Sequence, residues 1–329
     1  MSLAASPAVS LPIDEQVARS VRTGLGSKPK TLTPWLFYDE AGSELFEQIT
    51  ELPEYYLTRT ERAILEHNAS EIVAEAGGGK RLRFTELGAG SAEKTRVLMK
   101  AALERQNKLL IEAVDVSPTA LLVAQARIER EIPGVKVDLL EMDYTNGFGL
   151  DRCTPGERRL VLYIGSSIGN FEPEESARIL RKVRKQLAPG DCLLLGIDQV
   201  KDESTMLAAY DDAAGVTAAF NKNMLVRLNR ELAGDFDLDQ FSHRALWNDT
   251  MSRMEMHLES SVEQRVRLAA FDWEIDFGAG ETIHTENSYK FRSGDAAAML
   301  AEAGFAHARS WTDERGWFEV CLGRADDSQ

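Results

Sequence analysis

From Arg81 to Gln199 the chain alternates short apolar runs with stretches of helical period, and few folds accommodate that rhythm. "RLRFTELG" reads as a strand and "SAEKTRVLMKAALERQ" as a helix with Val97, Leu98, Ala101 and Leu103 near one face. "KLLIEAVDVS", stopped by Pro118, is the next strand, and "TALLVAQARIEREI" the next helix. After a Pro133–Gly134 turn come the strands "VKVDLLEMDY" and "RRLVLYIGSSIGNF", then a helix with Ile179, Leu180, Val183 and Leu187 on one face. A Pro189–Gly190 turn leads into "DCLLLGIDQV". Strands this short and this apolar are covered on both faces, so the repeat predicts an α/β fold around a parallel sheet.

Beyond Val200 the rhythm breaks. "ESTMLAAYDDAAGVTAAFNKNMLVRLNRELAGDF" is helical with an interruption at Gly215, and "SRMEMHLESSVEQRVRLAAFDWEIDF" alternates like antiparallel strands. A helix closed by Gly304 and a terminal hairpin follow. We therefore expect residues 60–199 and 290–329 to form the sheet domain. Residues 8–59 and 200–289 are expected to form a second, inserted α+β domain.

The formal net charge of −15 argues against a nucleic-acid partner, and the basic residues of "ILRKVRKQL" fall on the solvent side of their helix. Cys153, Cys192 and Cys321 are widely spaced and lack C-x-x-C pairing, which predicts free thiols in a reducing compartment. The five histidines share no metal-ligand spacing, and no metal is expected. No stretch approaches the ~18 consecutive apolar residues of a membrane span, and the N-terminus lacks a secretion signal. The expectation is a cytoplasmic monomer.

The first strand ends in Glu86-Leu87-Gly88-Ala89-Gly90. A dinucleotide fingerprint needs a third glycine where Glu93 stands, which disfavours NAD and a dehydrogenase. An acid two residues before the first glycine, with Asp115 ending the second strand, instead matches the arrangement used for S-adenosylmethionine. There Gly88 lets the backbone approach the methionine part, Asp115 takes the ribose hydroxyls, and Asp143 and Tyr144, ending the third strand, flank the adenine. Lys94, in the first helical turn, would pair with the methionyl carboxylate, aided by the helix N-terminus. The loop after the fourth strand, "GSSIGNF", lacks a D/N-P-P-Y run and offers the primary amide of Asn170, which can donate and accept as a small zwitterion requires.

Over nearly its whole length the chain resembles the histidine N-alpha-methyltransferases of ergothioneine biosynthesis. The strings that carry the resemblance are "YDEAGSELFEQITELPEYYLTRTE", "ELGAGSAEKTR", "GSSIGNF", "AYDDAAGVTAAFNKNMLVRLNREL", "RMEMHL" and "TENSYKFR". Ala89, Ser167 and Tyr289 depart from the family strings. The resemblance implies a Rossmann-like class I methyltransferase sheet with an inserted α+β substrate-binding domain. It also implies transfer of three methyl groups from S-adenosylmethionine to the α-amine of free L-histidine, giving hercynine.

By the same resemblance, Tyr55, Asn170 and Tyr210 bind the backbone groups of histidine, Glu286 and Ser288 hold the imidazole, and Met256 lines its pocket. Tyr38, Phe46 and Gly165 lie around the transferring methyl. The residues agree: Glu286 and Ser288 are two apart in an extended segment, so a carboxylate and a hydroxyl share one face and match the two ring nitrogens of imidazole. Competing readings are an N-methyltransferase of another aromatic amino acid, such as a tryptophan derivative, and a non-catalytic S-adenosylmethionine-binding module.

Overall fold

The computed structural model describes residues 14–90, 94–116, 118–145 and 149–326, with the backbone alone at 119 and 120. In chain order, α1 (Glu15–Leu25), β1 (Lys30–Thr31) and α2 (Glu40–Glu51) precede α3 (Tyr56–Gly77), β2 (Arg81–Leu87), α4 (Arg96–Leu103), β3 (Leu109–Asp115), α5 (Pro118–Glu131), β4 (Val135–Glu141), β5 (Glu157–Tyr163), α6 (Pro173–Gln186) and β6 (Cys192–Asp198). Next come α7 (Glu203–Tyr210), α8 (Val216–Leu232), β7 (Phe241–Asn248), β8 (Arg253–Ser260), β9 (Gln264–Leu268), β10 (Trp273–Phe277) and β11 (Thr282–Tyr289). Helix α9 (Asp295–Glu302) and strands β12 (Phe305–Thr312) and β13 (Phe318–Ala325) complete the chain. Two compact units result. One joins the chain up to Tyr55 with Glu203–Asn287, and the other joins Tyr56–Asp202 with the chain from Ser288 onward.

The second unit is built on a seven-stranded sheet of order β12-β13-β6-β5-β2-β3-β4. Strands β4, β3, β2, β5 and β6 run parallel, while β13 lies antiparallel between β6 and β12. Alternation along each strand divides the core between two faces. Phe84, Ile111, Leu160, Leu162 and Leu194 pack beneath α3, α4 and α5, whereas Val114, Val161, Tyr163, Leu193 and Leu195 pack beneath α6 and α9. Both faces exclude water, which is why the strands read as continuous apolar runs. From β2 the chain winds outward to β3 and β4 and then returns to β5 on the other side. Loops at the carboxyl ends of β2 and β5 therefore flank a topological switch point, where such sheets bind ligands.

Two expected boundaries move. The helix predicted over 91–106 is α4, Arg96–Leu103, so Lys94 precedes it and does not lie in its first turn. Lys94 and Thr95 spend their side chains on buried carboxylates, and Thr95 makes no cap bond to the helix. Strand β4 likewise stops at Glu141, short of Asp143 and Tyr144. Asp143 accepts from the backbone N–H of Thr145 at 2.9 Å and from its hydroxyl at 2.6 Å, a local turn that competes with the sheet ladder.

The first unit carries a four-stranded sheet of order β1-β11-β8-β7 and a separate β9–β10 ribbon. The buried face of α8 includes Phe220, Met224, Leu225 and Leu228. Gly215 at its start has φ +74°, and Asp212 accepts from the N–H groups of Val216 and Thr217 at 3.0 and 2.7 Å, which separates α7 from α8. Asp39 caps α2 at the N–H of Gly42 (2.8 Å) and binds Asn223 (2.8 Å) and Arg230 (2.7 Å), seating α2 on α8.

Candidate functional site

In the second unit the turn after β2 is held by the end of β3. The N–H groups of Gly88 and Ala89 donate to the carbonyl of Val114 at 2.9 and 3.1 Å, and the N–H of Gly90 donates to the Asp115 carboxylate at 3.0 Å. Gly88 (φ +68°) and Gly90 (φ +48°) are both in the left-handed region that glycine adopts at least cost. Among the described residues, a side chain at Gly90 would meet nothing within 4 Å, and one at Gly88 would reach the Tyr144 ring at 3.9 Å. The Tyr144 ring packs edge-on against Tyr163 at 5.6 Å, and burial pushes its phenol up to about 12.

Two buried carboxylates sit behind this turn. Glu86 is 3% exposed and accepts a bond from the Thr95 hydroxyl on Oε1. Among the described residues its Oε2 has no partner, and burial raises its carboxyl to about 7. Glu61, from α3, is fully buried and divides its oxygens: Oε2 receives the Lys94 ammonium and Oε1 the N–H of Gly165, both at 2.7 Å. A side chain at Gly196 would come within 2.3 Å of Glu61, and one at Gly165 within 2.9 Å of Lys94, so glycine clears the space for this bridge.

Glu61 thereby links the residue ahead of α4 to the loop after β5. That loop continues through Ser166, left-handed at φ +57°, whose buried hydroxyl accepts the N–H of Asp198 at 2.9 Å. Asn170 closes the short 3-10 turn Ser167–Asn170, and its half-buried side-chain amide has no hydrogen-bond partner among the described residues. On the same unit, Ser288 is buried with its hydroxyl accepting from Lys290 at 2.9 Å, and the Tyr289 hydroxyl donates to Glu172 at 2.5 Å.

In the first unit four aromatic residues form a chain of edge-on contacts. Ring centroids are 5.8 Å apart for Tyr38 and Phe46, 6.4 Å for Phe46 and Tyr55, and 6.4 Å for Tyr55 and Tyr210. Phe220 of α8 backs the first pair at 5.9 Å from each. Tyr210 is fixed through its carbonyl, which accepts from His243 Nε2 at 2.8 Å, while Asn221 donates to His243 Nδ1 at 2.9 Å. Met256 is buried on β8, where its carbonyl accepts the Thr285 hydroxyl at 2.9 Å. Alternating burial along β11 breaks at Glu286 and Asn287, both half-buried.

Strands β8 and β11 also bring together Glu255, His257 and His284, whose candidate ligand atoms lie within 4.8 Å of one another. His257 meets Glu255 at 3.1 Å, and the two imidazoles stand 4.9 Å apart. Burial holds both histidines below their ordinary value, so they are neutral and chemically suited to a metal. The same carboxylate already binds Arg253 at 2.7 Å and Asn248 at 2.9 Å, however, and a cation would compete with that guanidinium.

The sequence matches, over residues 17–325, the family described as histidine-specific methyltransferase, SAM-dependent. The chain belongs to that family. It is 47% identical over 308 residues to the histidine N-alpha-methyltransferase of Mycolicibacterium smegmatis, covering 94% of each chain. It is 44% identical to that of Mycobacterium tuberculosis, over 92% of this chain and 93% of that one. A more distant relative, 24% identical over 92% of this chain and 93% of that one, is the 4-dimethylallyltryptophan N-methyltransferase of Claviceps purpurea.

Within this histidine-specific methyltransferase the sequence reading did not single out Glu61, the Asp198–Lys290 pair or the Glu255–His257–His284 group. Glu61 and the Asp198–Lys290 pair join residues far apart in the chain through hydrogen bonds or ion pairs, and His284 comes from a strand distant in sequence from Glu255 and His257. The cysteines are free, and burial pushes the thiols of Cys192 and Cys321 up to about 11. Among the described residues no helix is long and apolar enough to cross a membrane.

Proposed function

We propose that this chain transfers three methyl groups from S-adenosylmethionine to the α-amine of free L-histidine, giving hercynine for ergothioneine biosynthesis. The observation that carries the reading beyond the family is the pair Glu286 and Ser288, two residues apart on β11. A carboxylate accepts the imidazole N–H, and a hydroxyl donates to the other ring nitrogen. An indole has one N–H and no second ring nitrogen, so it offers no acceptor to a hydroxyl donor on this strand.

S-adenosylmethionine supplies an activated sulfonium methyl. Gly88, Asp115, Asp143 and Tyr144 hold its nucleoside and backbone portions, and Lys94, oriented by Glu61, pairs with its carboxylate. Support for this assignment is the left-handed backbone at Gly88 and Gly90 beside Asp115, with no atom of the described residues within 4 Å of a side chain placed at Gly90. Asn170 and Tyr210 take the histidine carboxylate, and Tyr55 its amine. Met256 borders the imidazole, and Gly165 allows close approach to the reacting methyl.

The reaction is an in-line attack by an amine lone pair, so the protein contributes positioning and exclusion of water. As methyls accumulate, the ammonium loses N–H donors. The rings of Tyr38, Phe46 and Tyr55 then attract it by cation–π interaction, of order 0.5–2 kcal/mol per ring. The inserted unit holds the amino acid, and the enzyme acts as a cytosolic monomer without nucleic acid, membrane or metal.

The decisive experiment incubates the purified protein with S-adenosylmethionine and a mixture of free amino acids, followed by mass spectrometry. A gain of three methyls on histidine alone is expected. Methylation of a tryptophan derivative in its place, or of nothing, would overturn the reading.

A further inference from the structure

Within the first unit, strands β8 and β11 bring one carboxylate and two imidazoles to a common point. Glu255 and His257 are two apart on β8, so they share the face opposite Met256, and His284 comes from β11, the neighbouring strand of the sheet. One oxygen of Glu255 and one ring nitrogen of each histidine lie within 4.8 Å of one another. The Glu255 and His257 side chains are only 11% and 13% exposed. Each ring also keeps a buried nitrogen with no partner among the described residues, Nδ1 of His257 and Nε2 of His284. Neither imidazole spends its full capacity within the protein, although buried polar atoms rarely go unused.

Glu255 divides its oxygens. Oε1 accepts from Arg253 at 2.7 Å and from Asn248 at 2.9 Å, while Oε2 meets His257 Nε2 at 3.1 Å. A cation at Oε2 competes with Arg253 for charge but not for the same oxygen, and Arg253 and Asn248 become the outer partners that fix the carboxylate. Arg244, across from His257 on β7, is itself paired with Glu259 at 2.8 Å. A tetrahedral ion with bonds of about 2.0–2.2 Å holds its ligand atoms ~3.3–3.6 Å apart. The Oε2–Nε2 distance of 3.1 Å is already near that spacing. With a guanidinium on the carboxylate, ions that depend on oxygen charge, such as Mg²⁺ and Ca²⁺, are disfavoured, and an ion that bonds strongly to imidazole is favoured.

We propose that Glu255, His257 and His284 form a binding site for a divalent transition-metal ion of the Zn²⁺ class, completed by water, which cross-links β8 to β11. Methyl transfer needs no such ion, because the sulfonium is already activated. The bound ion acts on the stability of its unit by mass action.

The test is calorimetric titration of Zn²⁺ into the purified protein after chelation and removal of the chelator. One equivalent should bind, Mg²⁺ at the same concentration should not, and the thermal midpoint should rise with Zn²⁺. His257→Gln and His284→Gln should each weaken binding by more than the ~10–100-fold that loss of an outer partner costs. His307→Gln, at an exposed histidine of β12, should leave it unchanged. Absence of Zn²⁺ binding, equal binding of Mg²⁺, or an equivalent that survives both of the first two substitutions would overturn the proposal.

Should either variant fail to fold, Co²⁺ added to the unmutated protein gives a second readout. It should produce the intense visible absorption of a four-coordinate ion, displaced by Zn²⁺, together with paramagnetically shifted proton resonances from two imidazole rings. The pale spectrum of the hydrated ion, or fewer than two shifted rings, would overturn the proposal.

Discussion

Lys94 and Glu61 form an ion pair at 2.7 Å in which the carboxylate is fully buried and the ammonium side chain 25% exposed. Because the other oxygen of Glu61 holds the N–H of Gly165, this residue governs both Lys94 and the loop after β5. Glu61→Gln would point an amide N–H₂ at one of two donors. Such a loss costs ~1.5–3 kcal/mol, so S-adenosylhomocysteine should bind about tenfold or more weakly in calorimetry. Unchanged affinity would show that the bridge does not orient the cofactor contacts.

Glu86 gives the stability a pH signature. Its carboxyl rises from 4.5 to about 7, so the folded state binds the proton more tightly than the unfolded chain. Its contribution is therefore complete below about 4.5 and is lost as pH rises through 7, with a slope of at most about 1.4 kcal/mol per pH unit. Glu86→Gln, which keeps a neutral side chain there, should flatten the denaturation midpoint between these values. An unaltered pH profile would contradict the assignment.

Glu286→Ala should cut kcat/KM for histidine by about ten- to a hundredfold while leaving S-adenosylhomocysteine affinity within about twofold, as expected for losing a charged acceptor of the imidazole N–H. Steady-state kinetics and cofactor titration together check it. Equal histidine kinetics would place the acid away from the substrate.

The rings of Tyr38, Phe46 and Tyr55 lead to a stepwise expectation. Phe46→Leu should slow the third methylation more than the first, by about two- to thirtyfold, because a cation–π contact of 0.5–2 kcal/mol matters most once the ammonium has shed its donors. Quench-flow with mass detection of the mono-, di- and trimethylated products resolves the steps. Identical rates at all three would remove the aromatic lining from the mechanism.

Much of the sheet was legible because its parallel strands are buried on both sides and leave a contiguous apolar record, as in Leu160–Tyr163. The glycine turn was legible for a similar reason: Gly88 and Gly90 answer a local backbone demand. Glu61 was not. It sits within a 22-residue helix, and its partners lie 33 and 104 positions away, so nothing in "LTRTERAIL" distinguishes it from a solvated acid. The same holds for His257 and His284, which meet only because two strands distant in sequence become neighbours. Lys94 was placed one turn too deep in its helix because tertiary bonds to buried acids delay the helix start, and propensity is blind to them.

Asp198 collects Tyr56, Lys201 and Lys290 within one side chain's reach, so the severed ends of the sheet unit are already fastened where the long excursion leaves and rejoins it. An excursion whose endpoints are pinned in this way can be lengthened, shortened or swapped at little cost in loop-closure entropy. The sheet unit would then keep its shape while the excursion is remodelled. Grafting a foreign excursion between Asp202 and Ser288 should accordingly leave the sheet unit folded.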